Sequence, residues 1–148
     1  MTHLDAEPID PPSGWQREHL QRYVATDGAD GHYWNGVPTL LLTVHDQAAG
    51  RGRRTPLIYG RDGDAYLVVA SAGGRPRHPR WYRLLSADPR VRVQVEGHRF
   101  DAEAHTASGE ERDRLWTLMC GVWPDYDVYQ NRTDRQIPVV VLQPVRDR

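Results

Sequence analysis

The sequence predicts a single α+β domain built around an antiparallel, barrel-like sheet. Short runs of strand-forming residues follow one another and are interrupted by short helical segments. No segment shows the strand–helix–strand alternation that a parallel sheet requires, and this pattern favours the α+β class. With 148 residues, the chain is also long enough to bury the core of one domain without disulfides or metals.

The N-terminal part of the chain divides into a leader and a helix. Residues 1–14 hold three prolines and several acidic residues but little apolar content, so we expect a flexible leader. The predicted domain covers residues 15–148. It begins with a short amphipathic helix over Trp15–Val24, and the Asp-Gly pairs within Asp27–Gly31 then predict a turn.

Two hairpins are predicted after this turn. The continuous apolar run Thr39–Val44 predicts a buried strand, and Arg54–Gly60 and Ala65–Ser71 flank an Asp-Gly turn as the arms of the first hairpin. Arg90–Val95 alternates valine with polar residues, which is typical of a half-buried strand, and Arg99–His105 returns beside it.

The helices that follow the leader helix are short. His78–Ala87 predicts a helix with Pro79 in its first turn. A capping-box pattern at Ser108–Glu111 predicts a longer helix through Val122, which Pro124 interrupts. A second helical piece carries Tyr126 and Tyr129, and a final strand covers Ile137–Leu142.

Composition excludes several classes of protein. No apolar run approaches the roughly 20 residues of a membrane-spanning helix, and the N-terminus lacks a secretory signal, so we expect a cytoplasmic protein that does not bind membranes. Lysine is absent, and all 19 basic residues are arginine, which excludes Schiff-base chemistry on the protein. The net charge of −1 is not that of a nucleic-acid-binding protein.

Metal chemistry is also not expected. Cys120 is the only cysteine, and none of the seven histidines stands in a metal-binding spacing.

Motifs in a fixed order extend from about Tyr23 to Pro144. The first are Asp27–Gly31 with Trp34–Thr43, Arg53–Gly60, the Ser71-x-Gly73-Gly74 turn, His78-Pro79-x-Trp81-Tyr82 and Asp88-Pro89. The later ones are Trp123–Gln130, Thr133-Asp134-Arg135 and Ile137–Val141. This ordered set resembles the deazaflavin-dependent nitroreductases.

The resemblance implies a split β-barrel fold of the flavin-reductase type. It implies hydride transfer from reduced coenzyme F-420, an 8-hydroxy-5-deazaflavin, to a small electrophilic molecule such as a nitroaromatic, a quinone or an enone. FMN is the less expected cofactor. Both a monomer and a homodimer are consistent with this resemblance.

The resemblance also implies which residues form the site. Those expected at the cofactor are Arg53, Thr55, Pro56, Ala70, Gly73, Gly74 and Trp81. Tyr126, Tyr129 and Ser71 are the expected catalytic residues, and Trp123 and His45 are expected to contact the substrate. A phenol is a suitable group to stabilise or protonate the anion that hydride addition leaves.

The cofactor region departs from the family pattern. The family's loop T-G-R-[RK]-[ST]-G, which binds phosphate, reads His45-Asp46-Gln47-Ala48-Ala49-Gly50 here, and Ala72 stands where the family has lysine. Arg51, Arg53, Arg75 and Arg77 are the nearby cations that we expect to replace the lost contacts.

Other interpretations of these residues remain open. The arginines are also consistent with a solvated basic surface, and the aromatic residues with packing on a helix. Because the phosphate loop is lost, a cofactor-independent cyclase, isomerase or hydrolase is the alternative function, with Asp125, Tyr126, Tyr129, His45 and His78 as its acids, bases or orienting groups. A non-catalytic module that binds a planar ligand is a third hypothesis.

Overall fold

The computed structural model describes residues 3–145, which form four α-helices and eight β-strands. Residues 1–2 of the predicted leader and residues 146–148 of the predicted domain lie outside the described residues. The helices are α1 (Gly14–Thr26), α2 (Arg80–Ala87), α3 (Gly109–Val122) and α4 (Asp125–Asn131). The strands are β1 (Tyr33–Trp34), β2 (Val37–Asp46), β3 (Arg51–Ile58), β4 (Gly60–Asp62), β5 (Ala65–Val69), β6 (Arg90–Val95), β7 (His98–Thr106) and β8 (Val139–Pro144).

The strands form one antiparallel sheet that curls into a half-barrel, which confirms the predicted α+β class. Neighbouring strands follow the order β1-β2-β6-β7-β8-β5-β4, and β3 pairs with β2. Two 3₁₀ turns, His3–Asp5 and Ala72–Gly74, flank the sheet.

The sheet separates two hydrophobic clusters. Alternate residues of β2, β6 and β8, such as Leu42, Val93 and Val140, pack inside the curl. On the opposite face, Leu67 and Val141 pack against α3 and α4. Both faces of β5 and β8 are therefore covered, which is why these strands are continuous apolar runs rather than alternating ones.

Helix α1 packs on the outer face of β2 through Leu20 and Tyr23, which contact Leu41. The Tyr23 ring is fully buried. Its hydroxyl group donates a hydrogen bond to the carbonyl oxygen of Thr39 (3.0 Å) and accepts one from the Glu96 N–H (2.7 Å). This phenol therefore joins α1 to β2 and to the turn after β6.

The pairing of β3 differs from the sequence-based prediction. Residues 51–58 pair with β2 along eight positions, from Thr39↔Ile58 to Asp46↔Arg51. Only Gly60–Asp62 forms the first arm of the predicted Asp-Gly hairpin with β5. The turn that joins β2 to β3, Gln47–Gly50, contains no Asx-Gly pair, so no local pattern predicts a hairpin there.

Two helix starts also differ from prediction. Pro79 precedes α2 as its N-cap residue rather than lying in the first turn. Ser108 is the N-cap residue of α3, but its side chain makes no capping hydrogen bond. The capping-box interpretation was therefore wrong, although the helix begins where the pattern placed it.

The leader from residue 3 onward is packed against the sheet, in contrast to the flexible segment that its composition predicts. Ile9 bridges to Arg53 in parallel, with hydrogen bonds from the Ile9 N–H to the Gly52 carbonyl oxygen (2.8 Å) and from the Arg54 N–H to the Ile9 carbonyl oxygen (2.9 Å). Arg92 also donates to the carbonyl oxygen of Leu4 (2.8 Å). The leader satisfies polar groups on the edge of β3 that β2 leaves unpaired.

No helix within residues 3–145 combines the length and the apolar content needed to cross a membrane.

Replacing Tyr23 with Phe should lower the free energy of unfolding by about 1–3 kcal/mol, because the Glu96 N–H loses its acceptor in a partly buried position. Urea denaturation of the wild type and the variant measures this difference. Tyr33→Phe is the matched control: that side chain is 71% exposed, and its loss should change the same quantity by less than about 0.5 kcal/mol. Equal effects of the two substitutions would contradict this role of the buried phenol.

Candidate active site

A large cavity of about 1280 Å³ lies where the leader, α1, β3, the Ser71–Arg83 segment and the start of α4 meet. Proline and apolar residues of the leader, including Ile9 and Pro11, form one wall. The remaining walls carry the charged, aromatic and hydroxyl groups described below. Cavities of this size accommodate a cofactor together with a small substrate.

One region of the cavity is strongly cationic. Its walls contain six arginines: Arg53, Arg54, Arg75, Arg77, Arg80 and Arg83. Among the lining residues that belong to the described chain, Asp10 is the only one with a carboxylate. Within residues 3–145, the side chains of Arg75, Arg77, Arg80 and Arg83 make no hydrogen bond or ion pair with another residue. These guanidinium groups remain available to an anionic ligand.

The two arginines on β3 are already paired. The Arg53 Nε donates to Asp46 (2.6 Å), and this contact is the main reason why the pKa of the Asp46 carboxyl lies below its usual value. Arg54 forms a two-point pair with Asp10 of the leader, at 2.8 and 2.9 Å. Asp10 therefore occupies, inside the cavity, a guanidinium that a ligand anion would otherwise contact.

A second region of the cavity is aromatic. Trp15 of α1 stacks on Trp34 of β1 with ring centroids 5.5 Å apart, and Trp34 contacts Trp123 at 5.3 Å. The Nε1–H of Trp123 points to the hydroxyl oxygen of Tyr129 (3.4 Å), and the rings of Tyr126 and Tyr129 lie 6.2 Å apart. Aromatic walls of this kind bind flat, conjugated molecules.

Tyr126 is the buried phenol of this region. Its side chain is only 4% exposed, and burial raises its pKa well above the usual value for tyrosine. The hydroxyl group therefore keeps its proton at neutral pH. No hydrogen bond joins it to another residue in the part of the chain that the structure describes, so this O–H is available to a ligand.

The turn at Ser71–Gly74 lies beside α4 because of Gly74. Ala72, Gly73 and Gly74 all have positive φ (47°, 63° and 81°). A Cβ atom on Gly74 would lie 2.5 Å from the carbonyl oxygen of Tyr129. Only glycine permits this approach, which brings Ser71 and the tyrosines of α4 to the same cavity.

The structure brings most of the expected site residues together. Those that line the cavity are Arg53, Thr55, Pro56, Ser71, Gly73, Trp81, Trp123, Tyr126 and Tyr129. Ala70 and Gly74 are buried behind this wall and support it rather than face the cavity.

His45 does not line the cavity, which corrects the expectation that it contacts the substrate there. Successive residues of a strand point to opposite faces, so Asp46 lies on the side of Arg53 and His45 on the other. The His45 Nδ1 lies 2.8 Å from an oxygen of Asp88. Hydrogen bonds from Arg90 and then from His45 hold the pKa of Asp88 far below its usual value.

The same geometry bears on the cofactor-independent alternative. His45 and Asp46 are neighbours in sequence, but each is held by a different partner and neither lines the cavity. Of the groups named for this alternative, Tyr126, Tyr129 and His78 line the cavity, whereas His45 and Asp125 do not.

Sequence reasoning missed four contributors to the cavity. Asp10 was assigned to a flexible leader, Trp15 was interpreted only as part of an amphipathic helix, and Trp34 lies in a two-residue strand. His19 is a fourth: it is buried, and its Nε2 contacts the carbonyl oxygen of Gly31 (2.6 Å). The spacing of Trp15 and His19, one helical turn apart, was the signal that they share a face.

The lining residues fit a polyanionic, conjugated cofactor. The polar groups of the cationic region are almost all hydrogen-bond donors. Coenzyme F-420 carries a phosphate and a glutamate tail, whose oxygen atoms accept hydrogen bonds from such donors. Among residues 3–145, no group of three or more metal-binding side chains stands close enough to hold a metal ion.

Comparison with known proteins identifies similar chains. Residues 15–144 match the family model described as F-420H(2)-dependent quinone reductase. A protein of Mycobacterium tuberculosis named F-420H(2)-dependent quinone reductase is 44% identical over 130 residues, which cover 85% of this chain and 87% of the relative.

Two solved structures are also similar. One, described as a domain-swapped dimer, has a TM-score of 0.70 and 36% identity, with 86% of this chain and 96% of that chain covered. Another, described as an F-420-H(2)-dependent reductase, has a TM-score of 0.68 and 38% identity, with 72% and 94% covered. These similarities confirm the split-barrel fold.

Replacing Asp10 with Asn should strengthen the binding of a polyanion in the cavity, because the variant frees Arg54 and removes the carboxylate from the lining. A partly exposed ion pair contributes up to about 1 kcal/mol, so the dissociation constant for oxidised coenzyme F-420 should fall roughly two- to five-fold in a fluorescence titration. Glu7→Gln makes the same charge change in the same segment, away from the cavity, and should leave the constant unchanged. Weaker binding by Asp10→Asn would show that the pair helps the cofactor rather than competing with it.

Proposed function

The chain belongs to the F-420H(2)-dependent quinone reductase family, and on this premise we propose that it reduces quinones with reduced coenzyme F-420. The observation that carries the proposal is the cavity itself. It joins a cationic region, in which four guanidinium groups have no partner among residues 3–145, to a wall of tryptophans and tyrosines. The first suits the anionic tail of the cofactor, and the second suits the flat ring of a quinone.

The arginines are the residues that we assign to the phosphate and glutamate tail. Arg53 lies next to the altered loop, and Arg75 and Arg77 flank the Ser71–Gly74 turn on the other side of the cavity. Together they supply the positive charge that the lost loop supplies elsewhere in the family. Thr55, Pro56, Gly73 and Trp81 are the remaining lining residues that we assign to the cofactor.

When bound, the reduced cofactor supplies a hydride. Hydride addition to a quinone leaves a negative charge on an oxygen atom, which must be stabilised and protonated. Tyr126 is the residue that we assign to this step, since its phenol is protonated at neutral pH and unbonded among the described residues. Its proton passes to the oxygen atom and is replaced from solvent, and the product is the hydroquinone.

Tyr129 and Ser71 support Tyr126. The hydroxyl group of Tyr129 is held by the Trp123 Nε1–H (3.4 Å), so its own O–H remains free to donate to the substrate. Ser71 contributes a second hydroxyl group from the opposite element. Trp123 and Trp34 limit the access of water to this region.

A homodimer is the assembly that we propose for this chain, with the similar domain-swapped dimer as support. Size-exclusion chromatography with light scattering tests this assembly, and a monomeric mass would exclude it. We also propose that the protein acts in the cytoplasm.

The first test of the proposed function is a fluorescence titration with oxidised coenzyme F-420, with FMN run in parallel. We expect saturable, micromolar binding of F-420 and no comparable binding of FMN. The protein should then oxidise reduced F-420 in the presence of a quinone. Absence of both binding and turnover would refute the proposal.

Arg53→Ala should weaken the binding of F-420 by about ten-fold, the low end for a charge-assisted contact, because the guanidinium is one-third exposed and already shared with Asp46. The titration that measures this loss has a matched control in Arg99→Ala, which breaks an exposed arginine–aspartate pair that lies outside the cavity lining. Arg99→Ala should bind normally. Wild-type affinity in Arg53→Ala would remove Arg53 from the cofactor site.

Tyr126→Phe should lower kcat for quinone reduction by about 10²-fold while leaving the affinity for F-420 unchanged, because only proton donation is lost. Stopped-flow oxidation of reduced F-420, alongside the binding titration, separates the two effects. A variant that retains full kcat would transfer the proton-donating role to another group.

A further inference from the structure

One guanidinium group organises the Ser71–Gly74 turn from behind the cavity. Arg135 donates from Nε to the carbonyl oxygen of Arg75 (2.8 Å), from Nη1 to that of Ala70 (3.2 Å) and from Nη2 to that of Ser71 (2.6 Å). The planar, five-donor guanidinium reaches three carbonyl groups that a lysine amine could not bridge in one plane.

The same side chain contacts His78. The Nη1 of Arg135 lies 2.9 Å from the Nδ1 of His78. An arginine has no acceptor, so the Nδ1 must be the acceptor and carry no hydrogen. In the neutral ring, the hydrogen then resides on Nε2.

His78 is held neutral as well as in one tautomer. Burial, the positive charge of Arg135 and that of Arg83 lower its pKa below the usual value for histidine. A protonated ring would also place two N–H donors against each other at Nδ1. Near pH 7 the side chain is therefore a neutral donor at Nε2.

The Nε2–H group has no partner within the described part of the chain, although His78 lines the cavity. The ring of Tyr82, 4.9 Å away, packs against the imidazole and restricts its rotation. A neutral, oriented N–H donor beside a cavity is a group that recognises a carbonyl oxygen.

We propose that His78 binds a carbonyl oxygen of the molecule in the cavity through its Nε2–H, and that Arg135 is the positioning residue that fixes this donor and the Ser71–Gly74 turn. This inference rests on the proposed function for the identity of the ligand. Two molecules carry a carbonyl oxygen that could accept this hydrogen bond: the deazaflavin, in its pyrimidine ring, and the quinone. The experiments distinguish them.

The tautomer is tested without any ligand. Long-range ¹H–¹⁵N spectra of the labelled wild-type protein at pH 7 should show an unprotonated Nδ1 and a protonated Nε2 for His78. In Arg135→Lys, the preference for this tautomer should weaken or be lost, whereas Arg114→Lys, which alters an exposed pair with Asp62, should leave it unchanged. A wild-type ring with its hydrogen on Nδ1 would overturn the proposal even if the enzyme is fully active.

Two substitutions test the hydrogen bond itself. His78→Phe removes the donor, whereas His78→Gln keeps an N–H group near the position of Nε2. We expect His78→Phe to weaken one ligand by about two- to ten-fold, the range for a neutral hydrogen bond, and His78→Gln to recover part of that loss.

The ligand that weakens identifies the source of the carbonyl. A higher dissociation constant for oxidised F-420 in the fluorescence titration places the acceptor on the cofactor. An unchanged F-420 constant with a raised KM for the quinone places it on the substrate. If His78→Phe changes neither quantity while the wild type binds F-420, the proposal for His78 fails and the proposed function stands.

Discussion

The apolar character of both faces of β5 and β8 is the constraint on which the rest of the structure depends. The apolar side chains on both faces must be buried away from water. Val68 and Val140 pack in the curled interior of the sheet, and Leu67 packs under the helices on the opposite face. Burial of the outer face of β5 holds α3 and α4 against the end of that strand. The tyrosines of α4 consequently lie beside the turn that follows this strand, and the site is a product of how the core closes.

The second feature that shapes the site is the excess of positive charge in the cavity. Several arginines, such as Arg92, Arg99 and Arg114, are paired with aspartates. The four that follow the Ser71–Gly74 turn, Arg75, Arg77, Arg80 and Arg83, have no partner in residues 3–145. Like charges in a confined cavity raise the energy of the empty site, and an anionic ligand relieves that repulsion. Positive charge that the loop at His45–Gly50 lacks is thus present in another segment that lines the same cavity.

The fold class and the main strands were predicted from the sequence, and most of the site residues that the family resemblance implies line one cavity. The errors have physical reasons. The β2–β3 pairing was missed because Gln47–Gly50 lacks a strong turn signal, and the leader was misjudged because an open strand edge can order a segment of poor composition. Trp34 lies in a strand of two residues, which is too short for a hydrophobic periodicity to indicate that the side chain faces the cavity. The role of Arg135 depends on contacts with residues 57 to 65 positions away, which no local pattern encodes.

The docking of the leader on β3 has a consequence for solubility. A strand paired on one side only offers its free amide and carbonyl groups to any extended peptide, including the same strand of another molecule. Ile9, by bridging to Arg53, occupies that position within its own chain. The leader thereby blocks edge-to-edge pairing between molecules. Its removal would expose the backbone groups of β3 and favour aggregation through this edge.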